Sequence, residues 1–92
     1  MDLALLRAFV HVSEVGSITE AAPGLGYSQP GLSQRIQGLE RRLGCRLFDR
    51  GPHGVTLTAQ GTTLLPYARI ILGVAETMRE ELARDRRLPG ED

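Results

Sequence analysis

The chain has 92 residues, 41% hydrophobic and 24% charged, which suits one small domain with a single modest core and argues against global disorder. Its 11 basic residues are all arginine and are matched by 11 acidic ones, a net charge of zero that counts against nucleic-acid binding unless the charges are segregated. No apolar run approaches the ~20 residues of a membrane span. The N-terminus MDLALLRAF lacks the features of a secretory signal, and the lone Cys45 has no internal disulfide partner, so a reducing cytoplasm is expected.

Asp2 is placed to cap a first helix in which Leu3, Leu6, Phe9, Val10 and Ser13 recur at helical spacing, and Gly16 stops it. This helix is expected to serve as core, packing behind the next two helices of the chain. His11 reads as a surface or partly packed side chain. It has neither a second histidine nor a carboxylate pair at metal-binding spacing, and no metal or cofactor is expected.

Ser17 and Glu20 form the S-x-x-E capping box of a second helix, with Ile18, Ala21, Ala22 and Leu25 on its apolar side and Gly26 at its end. Pro23-Gly24 lies inside it. Proline removes the amide that would bond to the Thr19 carbonyl, so this helix is expected to be short or distorted into a tighter turn, with the pair tolerated at an exposed position.

Ser28 caps a third helix, Gln29 to about Leu43, with Tyr27 and Leu32 as a hydrophobic staple and Gly44 at the end. Leu32, Ile36, Leu39 and Leu43 form one stripe, which leaves Pro30, Gln34, Gln37 and Arg41 on the opposite side with Ser33 beside them. Amides, a hydroxyl and an arginine can contact base edges and phosphates. They also suit an ordinary solvated face. Two caps only a few residues apart force a sharp helix–turn–helix, and this favours DNA in the major groove. Gly31 and Gly38 fit either close backbone approach to DNA or toleration at the surface.

Arg46-Leu47-Phe48-Asp49-Arg50 and Val55-Thr56-Leu57 look like two short strands flanking the turn Gly51-Pro52-His53-Gly54. Residues 33 to 50 hold Arg35, Arg41, Arg42, Arg46 and Arg50 against Glu40 and Asp49, while acids collect towards the C-terminus. That is the charge distribution of a protein touching DNA with one face.

Thr58 caps a long helix in which Leu64, Ala68, Ile71, Ala75, Met78 and Leu82 form a heptad-like seam, with a kink expected at Pro66. From Ala59 to Arg84 it would extend ~39 Å, too far for its outer half to pack on so small a domain. The seam predicts a second copy of the chain, the alternative being a frayed helix. The expected organisation is a unit over 1–58, a dimerising helix over 59–87 and a disordered tail over 88–92. The expected fold class is mainly α, a winged helix-turn-helix of three helices and a short β-hairpin followed by a long helix.

The pattern Ser17-x-x-x-Ala21-Ala22-x-x-Leu25-x-x-Ser28-Gln29-Pro30-x-Leu32-Ser33-x-x-Ile36-x-x-Leu39-Glu40 resembles the N-terminal domain of LysR-type transcriptional regulators. The likeness continues through Leu43-Gly44-x-x-Leu47-Phe48-x-Arg50 and Leu57-Thr58-x-x-Gly61, covering about residues 2 to 82. It implies double-stranded DNA as partner, a wing tip near the minor groove, and a linker helix pairing antiparallel with its mate through residues 59–84, with higher oligomers in a full-length protein. It also implies that a small-molecule effector would act only through a domain absent from this chain. The chain departs from the pattern at Pro23-Gly24, at Cys45 (read as apolar filler), and at Gln34 and Arg35, where many relatives have arginine and glutamine. His53 stands where relatives often carry arginine.

The residues expected to contact DNA are therefore Ser28, Gln29, Pro30, Ser33, Gln34, Arg35, Gln37, Arg41, Arg50 and His53. The competing reading is a helix-turn-helix scaffold used only for protein association, which the zero net charge favours. An enzyme is rejected: the two histidines are far apart in sequence, and the chain has no evident acid pair, phosphate-binding glycine loop or metal quartet.

Overall fold

The structure, a computed structural model, describes residues 2–85. Asp2 accepts the Ala4 N–H at 2.8 Å and opens α1, Leu3–Val15; Ser17 accepts the Glu20 N–H at 3.1 Å and opens α2, Ile18–Leu25. Ser28 does the same for the Gly31 N–H at the head of α3, Gln29–Leu43, with Pro30 in the first turn. Each side chain satisfies an amide that has no partner inside its own helix. Gly16, Gly26 and Gly44 end the three helices with φ of 77°, 76° and 72°.

α2 is short, as expected, but it runs through Pro23 to Leu25 without breaking into a tighter turn. It closes with Gly26 N–H on Pro23 O and Tyr27 N–H on Ala22 O, both at 3.1 Å, a Schellman arrangement that resatisfies the last carbonyls. Pro23 is exposed. Gly24 is exposed too, and a Cβ there would lie 3.2 Å from His11 Nε2, so the imidazole would have to give by a few tenths of an ångström.

The stripes of α1, α2 and α3 meet in a core that holds no buried polar residue among the described residues. Leu6, Phe9, Val12, Leu32, Ile36, Leu39, Leu47 and Phe48 are almost fully buried, and the rings of Phe9 and Phe48 lie 5.3 Å apart. Phe48 opens β1, Phe48–Gly51, which pairs antiparallel with β2, Gly54–Leu57, in the register Phe48↔Leu57, Arg50↔Val55 and Gly51↔Gly54. The strands sit nearer the turn than expected. Arg46 and Leu47 are outside the ladder because other partners hold them: Thr58 Oγ1 donates to Arg46 O at 2.7 Å, and Thr58 N–H to Leu47 O at 3.0 Å.

Thr58 also accepts the Gly61 N–H and opens α4, Ala59–Arg84, a continuous helix through Pro66. Gly61 presses on the chain below: a Cβ there would lie 2.2 Å from Leu47 O. The seam expected to await a partner is divided. Ala68 is 0% exposed and Leu64 is half-buried against the same core, so these two pack within this chain. Helical periodicity turns the neighbouring stripe outward instead, and Tyr67, Ile70, Ile71, Val74, Met78 and Leu82 are exposed. Residue 87, the expected end of the long helix, and the expected tail 88–92 lie outside the described residues. Among the described residues no helix is long and apolar enough to cross a membrane.

Candidate nucleic-acid interface

α3 buries Leu32, Ile36 and Leu39, and this turns Gln29, Pro30, Gln34, Gln37 and Arg41 to solvent, with Ser33 half-buried at their margin. The carboxylate of Glu40 accepts the Leu47 N–H at 2.7 Å and the Phe48 N–H at 3.4 Å, fastening the far end of α3 to the start of the wing. On the other side Val55 donates its N–H to Gly16 O at 3.0 Å, so β2 is tied to the end of α1. The hairpin is anchored on both flanks. Gly54 makes this approach possible: its φ is 123°, and a Cβ would lie 2.3 Å from Gly16 O.

Phe48 and Arg50 share one face of β1 because side chains alternate along a strand. Phe48 enters the core, and Arg50 reaches across to α3, where its Nη1 donates to Ser33 Oγ at 2.7 Å. Arg50 thereby stands between two clefts. One, of about 550 Å³, is lined by Gln37, Glu40, Arg41, Cys45, Arg46 and Arg50. The other, of about 490 Å³, lies between the wing and the start of α2 and brings Gln29 and His53 to one surface with Ser17 and Thr19.

Besides Ser33 and Arg50, two more expected contact residues are already engaged. The Ser28 hydroxyl accepts the Gly31 N–H as the cap, and the Arg35 guanidinium lies 4.6 Å from the centroid of the Tyr27 ring. Arg46 is absent from the expected contacts, yet it lines the larger cleft, held by donation from its Nη2 to Phe48 O at 3.2 Å. Its place in the arginine-rich run 35–50 is the signal that could have included it. Tyr67, Ile70 and Val74 escape the sequence reading for a different reason: a seam at strict heptad spacing follows the edge of the buried stripe. Among the described residues no cluster of His, Cys, Asp or Glu could hold a metal.

Three capped helices, the third with an outward polar face, followed by an anchored two-stranded hairpin, define a winged helix-turn-helix domain. Residues 3–62 match the family of bacterial regulatory helix-turn-helix proteins named for LysR, and the chain belongs to that family. It is 46% identical over 83 residues to the SDS degradation transcriptional activation protein of Pseudomonas sp. (strain ATCC 19151), a match covering 90% of this chain and 27% of that protein's length. The structure resembles the CbnR DNA-binding domain crystallised with DNA, at a TM-score of 0.87 and 36% identity, over 95% of this chain and 100% of that one. It also resembles the BenM DNA-binding domain in complex with benA site 1 DNA, at a TM-score of 0.86 and 40% identity, over 91% and 94% of the two chains. The chain is thus a LysR-type helix-turn-helix DNA-binding domain, similar to transcriptional regulators.

Proposed function

We propose that this domain reads duplex DNA as a homodimer, with α3 in the major groove and the wing over the adjacent minor groove. Gln29, Pro30, Ser33 and Gln34 would face base edges, with Gln37 at the margin. Arg41, Arg46 and Arg50 would meet phosphates, and His53 would meet the narrow groove at the tip. Ser28 and Arg35 would contribute mainly through the cap and the Tyr27 contact that hold the head of α3. The carrying observation is the continuous surface from the exposed amides of α3, across Arg50, into a cleft lined by three arginines. Concentrating positive charge there answers the objection raised by zero net charge. A bacterial regulator of this kind would work in the cytoplasm, where the DNA is.

The dimer rests on the exposed face of α4, from Tyr67 to Leu82. A row of large apolar side chains on a helix that outruns its own domain suits a second copy of the same helix. The test of both parts is selection of duplexes from a random library, followed by a salt titration. Phosphate contacts release counterions, so binding should fall steeply with salt, and sedimentation should give two protomers per selected duplex. Failure to select any duplex would leave the association scaffold as the better reading.

A further inference from the structure

The bond between Arg50 and Ser33 joins two elements seventeen residues apart at the centre of the proposed DNA surface. A serine hydroxyl is ambivalent: it donates one hydrogen and accepts through two lone pairs, so alone in the major groove it can meet either a base acceptor or a base amine. Guanidinium has no acceptor. Once Nη1 donates to Ser33 Oγ at 2.7 Å, one lone pair is committed, the adjacent positive charge makes the second a poorer acceptor for another incoming N–H, and the hydroxyl hydrogen is left to point away from the guanidinium. Three helix hydroxyls return theirs to backbone carbonyls, Ser13 to Val10 O, Thr62 to Thr58 O and Thr63 to Ala59 O. That of Ser33 has no acceptor among the described residues. Donation from a cation also polarises the O–H and strengthens it as a donor.

We propose that Arg50 is a positioning residue that fixes Ser33 as a hydrogen-bond donor towards DNA, so that the base pair under Ser33 is selected for an acceptor edge. The acceptors available in the major groove are guanine O6 and N7, adenine N7 and thymine O4, whereas cytosine presents only its N4 amine. Arg50 can hold this geometry because its hairpin is fastened to α3 by Glu40, at the start of β1, and to the end of α1 by Gly16, from β2. The remaining guanidinium donors stay available to a phosphate.

The inference rests on the major-groove placement of α3, and the experiment separates the two. Duplexes selected by the wild-type protein are measured by equilibrium binding against wild type, Ser33→Ala, Arg50→Met, Arg50→Lys and the double variant Ser33→Ala/Arg50→Met. The step read by Ser33 is the base pair at which Ser33→Ala alone loses preference. There, wild type should favour an acceptor edge over cytosine by roughly tenfold. Arg50→Met should weaken every duplex and also collapse that ratio. Arg50→Lys should retain most of it, since an ammonium can still donate to Oγ. In the Ser33→Ala background, Arg50→Met should lower affinity without moving the ratio. A ratio that survives Arg50→Met, or that shifts equally with and without Ser33, overturns the proposal. So does a Ser33→Ala variant that weakens all sequences alike. A wild-type protein that selects no duplex overturns the major-groove reading itself.

Discussion

Glu40 Oε2 accepts the Leu47 N–H at 2.7 Å, so a residue on the helix proposed to face DNA holds the chain where it turns into the wing. Leu47 is almost fully buried, and its amide would have no partner without that carboxylate. Glu40→Ala should therefore cost ~1–3 kcal/mol of stability in urea denaturation, the usual penalty for a stranded buried donor. Glu40→Gln, whose amide oxygen still accepts, should cost less. Equal stability of Glu40→Ala and wild type would show that the wing holds itself.

The two glycines of α4 most open to comparison should respond in opposite directions. Gly61→Ala would push a methyl group to 2.2 Å from Leu47 O and 2.9 Å from Leu57 Cδ2, forcing the helix away from the domain. A loss of ~2 kcal/mol or more is expected, as for other overpacked sites. Gly73 meets nothing within 4 Å, and Gly73→Ala should stabilise the helix by up to ~1 kcal/mol. Thermal unfolding followed by circular dichroism measures both.

Division of the α4 seam makes two apolar-to-acid changes diagnostic. Val74→Asp places a carboxylate on the exposed stripe, where the side chain is 65% accessible; it should give folded monomers with weaker DNA binding. Ala68→Asp buries one in the domain's own core and should prevent folding. Sedimentation and far-ultraviolet circular dichroism separate the outcomes. A Val74→Asp protein that stays dimeric would move the interface elsewhere.

Gln34 is exposed in the first half of α3, with its amide free for a base edge. Gln34→Ala should change the preferred base at one position by ~1–3 kcal/mol. Uniform weakening of all duplexes would reassign Gln34 to phosphate.

What the sequence disclosed well was decided within a few residues. Asp2, Ser17, Ser28 and Thr58 cap helices because each has a short oxygen-bearing side chain next to unpaired amides, and Gly16, Gly26 and Gly44 take the left-handed conformation that ends them. What it disclosed poorly was decided across the fold. The strand ends shifted because Thr58 claims the Arg46 and Leu47 carbonyls. α4 carries two apolar stripes side by side, and no spacing rule says which one its own domain will cover. Gly24 has the look of a defect in the sequence, and only the fold brings His11 against it. The sequence marks Arg50 only as a candidate for DNA contact, and its grip on Ser33 is not legible there, because nothing local links positions so far apart.

Leu72 is the last residue of α4 packed against the core, and from 73 to 84 every large apolar side chain of the helix is exposed. A free segment of that length is only marginally helical in water. In the proposed homodimer, its ordering and its pairing become a single equilibrium that dilution pushes towards unwound protomers. Duplex DNA then enters as more than a target. Two half-sites on one molecule hold two domains within reach of each other and raise their effective concentration far above that in solution. The spacing between half-sites would thus regulate how much of α4 is wound, and an operator would act as a template that completes the protein bound to it.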